Sequence, residues 1–400
     1  MREISGPWRR AAAGAGLLDV DGRSAPTIFA EMSALATRTG AINLGQGFPD
    51  EDGPPQVMDA ARTAIANGVN QYPPGRGVAD LRSAIADHQR RFYGLEVDPE
   101  REVLVTAGAT EALAATILAL VEPGDDVVVF EPFYDAYAAC IALAGARLVP
   151  VALRWPQFQP DLDQLAEAVT DRTRLILVND PHNPTGAVFS PEVRAEIVRL
   201  AERHDTIIVT DEVYEHLVFD AAPHTPIATL PGAADRTITI SSGGKTFSTT
   251  GWKIGWASGP AELIEAVLAV KQFLTYVNGA PFQPAIATGL RLPDAFFAGL
   301  AASLADKRDL LGEGLRAAGF VVSPPAGSYF TVADAAPLGA VDAHEFCRSL
   351  PERAGVVAVP LTAVVTAGHR ADYATLVRFA ACKRVEVLRE AAERLSRMER

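Results

Sequence analysis

Four short apolar runs in this sequence are each followed directly by polar residues that could bind a ligand or do chemistry. These polar segments are Ala107-Gly108-Ala109-Thr110-Glu111, Asp180-Pro181-His182-Asn183-Pro184-Thr185-Gly186, Asp211-Glu212-Val213-Tyr214 and Ser241-Ser242-Gly243-Gly244-Lys245, with Gly251-Trp252-Lys253 just beyond the last. Taken singly, each has an ordinary explanation as a cap, a turn or a satisfied helix end. Their joint occurrence after successive predicted strands indicates one ligand site at the carboxyl edge of a sheet.

The residue types at this edge suit one cofactor, pyridoxal 5′-phosphate (PLP). Asp211 follows an apolar strand, and a buried aspartate stays ionised only beside a cation. The protonated pyridine nitrogen of PLP would be that cation, and the pair would keep the ring an effective electron sink. Asn183 and Tyr214 could donate hydrogen bonds to its phenolic oxygen. The helix predicted to begin near Thr110 offers free N–H groups and a positive dipole end for its phosphate.

A lysine at a neighbouring strand end could form a Schiff base with PLP, provided that its surroundings lower the pKa of its amine. Once displaced by substrate, the same amine could move a proton between substrate Cα and the cofactor. Lys245 and Lys253 lie eight residues apart. Chemistry alone does not decide which of them carries the Schiff base and which joins Ser242 at the phosphate.

The sequence also predicts the elements that must position these residues. From about residue 100, β-branched runs alternate with amphipathic helical patterns, which indicates an α/β fold with a mainly parallel sheet covered on both faces. After Pro293, a long helical pattern ends at Gly319 and strand-like pieces follow, as in a smaller α+β domain. The predicted strands of the sheet are 103–106, 126–130, 175–179, 207–210, 237–241 and 253–257, and the predicted helices include 110–121, 134–144, 191–204 and 261–276. The expected divisions are a poorly ordered tail (1–25), an arm contributing to the small domain (26–48), a large domain (49–290) and a small C-terminal domain (291–400).

Composition argues against several other classes of protein. The 400 residues are 48% apolar and carry a net charge of −13, which disfavours a nucleic-acid partner. The three cysteines lie far apart without metal-ligand spacing, so we expect no metal site and a reducing cytoplasm. Trp8-Arg9-Arg10 faintly resembles the start of an export signal, but the apolar run after it is short and stops at Asp19. No apolar stretch approaches the roughly 20 residues that span a bilayer.

Several motifs resemble those of class I aminotransferases of PLP fold type I. They are Asn179 with Asn183-Pro184-Thr185-Gly186, Thr210-Asp211-Glu212-Val213-Tyr214, Ser241-Ser242-Gly243-Gly244-Lys245 and Gly251-Trp252-Lys253-Ile254-Gly255-Trp256. Residues 43–50 (NLGQGFPD) are similar to the branch with kynurenine aminotransferase, glutamine transaminase K and cysteine-S-conjugate β-lyase. Residues 50–55, 70–75 and 279–284 most resemble actinobacterial N-succinyldiaminopimelate aminotransferases. The resemblance covers residues 26–395 and implies a seven-stranded sheet. It also implies ping-pong exchange of an amino group between an L-amino acid and a 2-oxo acid, with N-succinyl-LL-diaminopimelate and glutamate as a candidate pair.

The resemblance implies roles for individual residues at the cofactor. Lys245 would carry the Schiff base and Lys253 would bind the phosphate. Tyr134 would stack on the pyridine ring, although it could also be a core aromatic at a helix start. Tyr72 would reach the phosphate of the neighbouring subunit, which implies a homodimer with shared active sites, and it joins Lys245 and Asp211 as a predicted catalytic residue. The predicted cofactor site therefore comprises Gly108, Ala109, Thr110, Tyr134, Asn183, Asp211, Tyr214, Ser242, Lys245, Lys253 and Tyr72.

A second set of residues would bind substrate. Arg378 would clamp the α-carboxylate with two hydrogen bonds, and an Arg inside an apolar strand needs an anionic partner in any case. The resemblance implies that Gly47 and Asn183 also meet substrate and that Phe29 lines the side-chain pocket. Arg76 is either an exposed loop charge or a reader of a distal carboxylate in the neighbouring site. The resemblance also implies cis peptides at Glu131-Pro132 and Asn183-Pro184.

The motifs leave the substrate and the reaction branch open. The same lysine and electron sink would serve β-elimination from cysteine conjugates, kynurenine, glutamine or methionine aminotransferases, and an aminotransferase of antibiotic biosynthesis. A non-catalytic regulator with an aminotransferase-like domain is disfavoured, because roughly 25 residues before Pro26 are too few for a helix-turn-helix domain and the net charge is negative.

Overall fold

The computed structural model describes residues 5–19, 21–220 and 224–398. Its α-helices are α1 (Trp8–Gly14), α2 (Ile28–Thr39), α3 (Pro55–Ala66), α4 (Ala79–Tyr93), α5 (Gly108–Leu120), α6 (Asp135–Ala144), α7 (Leu162–Ala168), α8 (Pro191–Arg203), α9 (Gly243–Thr246), α10 (Ala261–Lys271), α11 (Phe282–Leu290), α12 (Asp294–Ala318), α13 (Ala343–Ala354) and α14 (Val385–Ser396). Its strands are β1 (Ile42–Asn43), β2 (Val103–Ala107), β3 (Asp126–Glu131), β4 (Arg147–Arg154), β5 (Gln159–Pro160), β6 (Thr173–Asn179), β7 (Ile207–Asp211), β8 (Thr237–Ser242), β9 (Ile254–Ser258), β10 (Val321–Val322), β11 (Phe330–Asp334), β12 (Val356–Val357), β13 (Val359–Pro360) and β14 (Leu376–Ala380).

The central sheet has the strand order β2-β9-β8-β7-β6-β3-β4-β5. Pairs from β8 to β4 are parallel, whereas β9 runs antiparallel to both of its neighbours. Alternate side chains of β3 enter different cores: Val127 and Val129 pack in the cluster that includes α5, α6 and α10, and Val128 and Phe130 pack in the cluster that includes α8. This two-sided burial explains the continuous apolar strands and confirms the predicted α/β fold with a mainly parallel sheet.

The sheet differs from the seven-stranded expectation by one short strand. β5 has two residues and pairs antiparallel with the edge strand β4. Neither strand is among the strand ranges predicted above. β4 is only partly buried and contains Pro150, so it lacks the continuous apolar pattern that marks the interior strands.

The smaller α+β region is built around the antiparallel order β10-β11-β14-β13. The chain before residue 49 joins it, because β1 pairs parallel with β12, and Met32 and Leu44 share a hydrophobic cluster with residues from 311 to 398. The arm predicted over 26–48 is consistent with this packing, and the exact domain boundaries stay predictions. Among the described residues, no helix is long and apolar enough to cross a membrane.

Two helices differ from the sequence predictions. Within the tail expected to be poorly ordered, α1 forms and packs closely on α6: a Cβ on Gly14 would lie 2.6 Å from the Cβ of Ala142, an approach that small residues permit. The helix predicted over 261–276 ends at Lys271, whose Nζ donates to the carbonyl oxygens of Gly75 (2.8 Å) and Tyr276 (2.6 Å). These bonds hold residues after Lys271 in turns instead of a further helical turn.

Both predicted cis peptides, Glu131-Pro132 and Asn183-Pro184, are confirmed. Two further cis peptides, Trp155-Pro156 and Asp180-Pro181, were not predicted.

Candidate active site

The predicted polar segments meet in one cleft at the carboxyl ends of β2, β6, β7 and β8. The cleft has a volume of about 180 Å³. Its walls include most of the predicted cofactor residues, namely Gly108, Ala109, Thr110, Tyr134, Asn183, Asp211, Tyr214, Ser242, Lys245 and Lys253. Parallel strands explain this meeting, because their carboxyl ends lie at the same edge.

Asp211 lies at the end of β7 and is 5% exposed. Its Oδ2 accepts a hydrogen bond of 2.7 Å from the hydroxyl of Tyr137, while its Oδ1 is buried without a hydrogen-bond partner among the described residues. Burial raises the pKa of Asp211 to about 6, although the bond from Tyr137 opposes the rise. Asn179 Nδ2 fixes the backbone by donating to Asp211 O at 2.7 Å. Oδ1 is therefore placed to accept from a protonated ring nitrogen.

Lys245 is carried by α9, the single helical turn that follows β8. Its Nζ donates to the carbonyl oxygen of Gly47 at 3.3 Å and lies 5.9 Å and 5.7 Å from the ring centres of Tyr214 and Tyr329. Burial lowers the pKa of this amine, and the charge of Asp211 only partly opposes that effect. A lowered pKa increases the fraction of free amine, the form that attacks a carbonyl and accepts a proton.

Lys253 occupies a different part of the cleft. A Cβ on Gly108, the first residue of α5, would lie 3.2 Å from Lys253 Nζ, so this amine sits beside the start of that helix. Gly255 allows the approach, since a Cβ there would lie 2.5 Å from the Gly108 carbonyl carbon and 2.6 Å from Ala109 N. A lysine beside free helix N–H groups is the arrangement that binds phosphate. Lys245 and Lys253 thus occupy different parts of the cleft, and only Lys253 lies beside the start of α5.

Arg378 is 4% exposed in β14 and contacts Asn183, which lines the cleft. It donates to the oxygens Gly45 O (2.6 Å) and Asn183 Oδ1 (3.2 Å), and its guanidinium carbon lies 4.2 Å from the ring centre of Phe330 and 5.1 Å from that of Phe29. Burial lowers its pKa to about 10. Its Nε has no hydrogen-bond partner and no carboxylate pairs with it within the described ranges. This buried cation is suited to a ligand carboxylate.

Comparison with known proteins decides the family. Residues 39–395 match the family model described as aminotransferase class I and II.

The chain belongs to this aminotransferase family.

The aminotransferase is 56% identical over 380 residues to the probable N-succinyldiaminopimelate aminotransferase DapC of Mycobacterium tuberculosis, with 93% of this chain and 96% of that protein covered. It is 39% identical over 374 residues to the methionine aminotransferase of Escherichia coli, with coverage of 93% and 96%. The solved structure of N-succinyldiaminopimelate aminotransferase from Mycobacterium tuberculosis superimposes with a TM-score of 0.92 at 54% identity, covering 98% of this chain and 99% of that chain. The predicted family and fold are confirmed.

The remaining predicted substrate residues of the aminotransferase lie close to Arg378. The ring of Phe29 faces its guanidinium, as given above. Gly47 lies so near Phe330 that a Cβ would approach its ring to 2.5 Å, and the Gly47 carbonyl oxygen accepts from both Lys245 and the Tyr329 hydroxyl (2.6 Å). Gly47 thus contacts Lys245 through its carbonyl oxygen and leaves room for the ring of Phe330, which faces Arg378.

Tyr72 and Arg76 are not among the residues that line the cleft. Tyr72 is 81% exposed, and its ring packs edge-on against Tyr276 with centroids 5.6 Å apart. Arg76 is not a free loop charge: it donates to Glu265 Oε2 (2.5 Å) and Arg101 O (3.0 Å), and its side chain is 17% exposed. Because Arg76 already has an anionic partner, its role in binding a distal carboxylate in a neighbouring active site stays a prediction.

Several buried polar residues around the cleft have roles that the sequence patterns do not predict. Tyr137 and Tyr329 lie in apolar stretches, so their hydroxyls gave no signal of the bonds to Asp211 and Gly47. A further buried group, His88 with Glu215 and His216, lies outside the cleft and has metal-ligating atoms within 4.8 Å of one another. The two imidazole Nε2 atoms are 2.7 Å apart, the spacing of a hydrogen bond.

Proposed function

We propose that this aminotransferase uses PLP, held by Lys245, to exchange an amino group between an L-amino acid and a 2-oxo acid in a ping-pong reaction. One observation carries the proposal: Asp211 Oδ1 is buried without a hydrogen-bond partner among the residues that the structure describes, in the same cleft as a lysine amine whose pKa is lowered. The pyridine nitrogen of PLP requires a hydrogen-bond acceptor such as Asp211 Oδ1, and its aldehyde requires an amine such as that of Lys245.

The other contacts would fix the cofactor between these two groups. Lys253 and the N–H groups at the start of α5 would hold the phosphate, with Ser242 lining the same cleft. Tyr134 would cover the ring, and Asn183 and Tyr214 would donate to the phenolic oxygen. When bound, PLP supplies an electron sink for the pair released at substrate Cα.

The chain's own residues would bind the donor and move its proton. Arg378 would pair with the α-carboxylate through the guanidinium N–H groups that are not used in its hydrogen bonds to Gly45 and Asn183. Lys245 Nζ would accept the proton from Cα and return it at C4′ of the cofactor. Because burial lowers the pKa of Lys245, more of its amine is free to act as this base near neutral pH.

For the substrate, we propose N-succinyl-LL-diaminopimelate as donor and 2-oxoglutarate as acceptor, with glutamate as the product. The support is the name of the relative that is 56% identical over almost the full length of both chains. The test is glutamate formation by the purified holoenzyme from 2-oxoglutarate and equal concentrations of N-succinyl-LL-diaminopimelate, L-methionine or L-kynurenine. The proposal expects the highest kcat/KM with the first donor. A higher value with either of the others would refute this substrate.

We also propose that the enzyme is a cytoplasmic homodimer in which Tyr72 completes the partner's phosphate site. Tyr72 and Phe273 are 81% and 88% exposed, unusual for aromatic side chains on a monomer surface, and the three cysteines are free. Light scattering should give twice the mass of 42.4 kDa. Tyr72→Phe should weaken PLP binding while the dimer persists, and a fully active monomer would contradict the shared site.

A further inference from the structure

We propose that a second cavity beside the cleft, here called the side cavity, binds the distal carboxylate of a long amino donor, with Arg370 as the cation that recognises it. The side cavity has a volume of about 410 Å³ and lies between the end of α1, α6 and residues 363–370. The inference rests on the proposed function and adds to it a substrate class: amino acids whose side chain ends in a carboxylate several carbons beyond Cα.

The side cavity adjoins the reaction cleft through a shared stretch of chain. Tyr134 lines the cleft, whereas its neighbours Phe133 and Asp135 line the side cavity. Phe133 N donates to Val364 O at 2.9 Å, which joins this stretch to the opposite wall. The guanidinium of Arg378, proposed above for the α-carboxylate, also acts electrostatically on Asp135. Asp135 thus lies both in the wall of the side cavity and within electrostatic range of the guanidinium proposed to bind the α-carboxylate.

The far wall that carries Arg370 is firmly attached to the sheet. Glu131, at the end of β3 and fully buried, accepts from Thr366 N at 2.8 Å and also contacts His369. Tyr373 continues the attachment by donating its hydroxyl to Glu131 O (3.0 Å) and Leu153 O (2.8 Å). These bonds fix the backbone on both sides of Arg370, so its guanidinium extends from a rigid support.

The chemistry of the side cavity suits a methylene chain that ends in an anion. Ala138, Ile141 and Leu148 give it apolar walls. Arg370 lines it, is exposed, and has no ion pair or hydrogen bond with any other residue in the described part of the chain. Asp135 is the acidic group in the wall; burial raises the pKa of its carboxyl, and the nearby charge of Arg378 opposes that rise.

Size supports the same assignment. The cleft holds about 180 Å³, below the roughly 300–1,000 Å³ of most small-molecule sites. A cofactor together with an extended donor therefore needs further space, and the side cavity, whose wall includes both chain neighbours of Tyr134, is the candidate for it. Arg76, the arginine predicted for a distal carboxylate, is already paired with Glu265.

The test compares two donors that differ only at the far end: L-2-aminoheptanedioate, which ends in a carboxylate, and L-2-aminoheptanoate, which ends in a methyl group. Their kcat/KM values are measured with the holoenzyme of wild type, Arg370→Ala and Arg370→Lys, and Arg62→Ala is the control at an exposed arginine outside the cavity. We expect the dioate-to-monoate ratio to fall about tenfold in Arg370→Ala, as for loss of one charge-assisted contact. Arg370→Lys should recover part of the ratio, and Arg62→Ala should leave it unchanged.

An unchanged dioate-to-monoate ratio of kcat/KM in Arg370→Ala, including an equal loss of kcat/KM for both donors, would overturn the inference. Arg370 would then not bind the distal carboxylate. Turnover of L-glutamate by the wild-type holoenzyme without turnover of either long donor would also overturn it while leaving the proposed function intact. Absence of transamination with L-glutamate and with N-succinyl-LL-diaminopimelate would instead reject the proposed function.

Discussion

Tyr137 donates a hydrogen bond of 2.7 Å to one carboxylate oxygen of Asp211, and the other oxygen is buried with no partner in the described part of the chain. The two residues come from different layers, because Tyr137 lies on α6 and Asp211 ends β7. The bond orients the carboxylate and lowers its pKa against the effect of burial. Tyr137 is therefore a positioning residue for the carboxylate that faces the proposed pyridine nitrogen.

Replacing Tyr137 by Phe should lower kcat about tenfold, since a hydrogen bond to a charged group contributes roughly 1.5–3 kcal/mol and a tenfold change corresponds to about 1.4 kcal/mol. Because the lost bond held the pKa of Asp211 down, the acidic limb of the pH profile of kcat/KM should also move to higher pH. Steady-state kinetics between pH 5 and 9 measure both effects.

The matched control is Tyr373→Phe, which removes a buried hydroxyl that donates to Glu131 O and Leu153 O outside the cleft. It should reduce stability and leave the acidic limb in place. The positioning role would be refuted by a Tyr137→Phe enzyme whose pH profile coincides with that of Tyr373→Phe.

Asp211 should destabilise the protein when no cofactor is bound. Its pKa is about 6 in the folded state against an ordinary value of 3.8, so between these pH values the unfolded chain releases the proton first and the free energy of unfolding falls as pH rises. Above pH 6 the penalty amounts to about 3 kcal/mol, at about 1.36 kcal/mol per pH unit. Asp211→Asn should therefore be more stable than wild type by roughly 2–3 kcal/mol at pH 8, and the difference should vanish below pH 4.

Urea unfolding of cofactor-free protein at pH 4 and pH 8 measures this difference. Asp205→Asn, at a fully exposed side chain, provides the control and should change stability little at either pH. A destabilised Asp211→Asn at pH 8 would mean that the buried carboxylate is satisfied within the chain.

The close approach of Gly255 to the start of α5 gives a prediction about phosphate binding. A Cβ there would lie 2.5 Å from the carbonyl carbon of Gly108, which cannot move without displacing the helix start. Gly255→Ala should therefore weaken the affinity for PLP at least tenfold, measured by fluorescence titration of the cofactor-free protein. Gly251→Ala, four residues earlier, adds a Cβ that has no atom of the described residues within 4 Å, and this variant should bind PLP as wild type does. Equal affinity in both variants would show that the helix start tolerates displacement.

Much of this site could be predicted because its residues stand at strand ends, where local patterns are strongest. Asn183, Asp211 and Lys245 follow apolar runs whose length and β-branched content define interior strands, and a parallel sheet then brings them to one edge. The prediction that Arg378 binds an anionic ligand came from its position inside a buried strand.

Contacts between residues far apart in sequence could not be predicted in the same way. Arg76 pairs with Glu265 across 189 positions, and no local pattern marks either residue for the other. Tyr137 lies on a helix whose residues are mostly apolar, so the hydrophobic pattern predicts that its side chain is buried but not that its hydroxyl makes a hydrogen bond. The packing of α1 on α6 depends on small residues such as Gly14 and Ala142. A segment rich in Ala and Gly gave no sequence signal for this packing, and the prediction was a poorly ordered tail.

The most direct test of the central claim is the visible absorption spectrum of purified protein supplied with PLP, recorded for wild type, Lys245→Ala and Lys253→Ala. We expect an absorption band of bound PLP in the wild type, and a productive amino donor should replace it with the absorption of the pyridoxamine form. Lys253→Ala should keep that band with weaker PLP affinity, whereas Lys245→Ala should lack it and show no turnover. A wild-type protein without the band, or a Lys245→Ala variant that keeps both band and turnover, would contradict the assignment of Lys245.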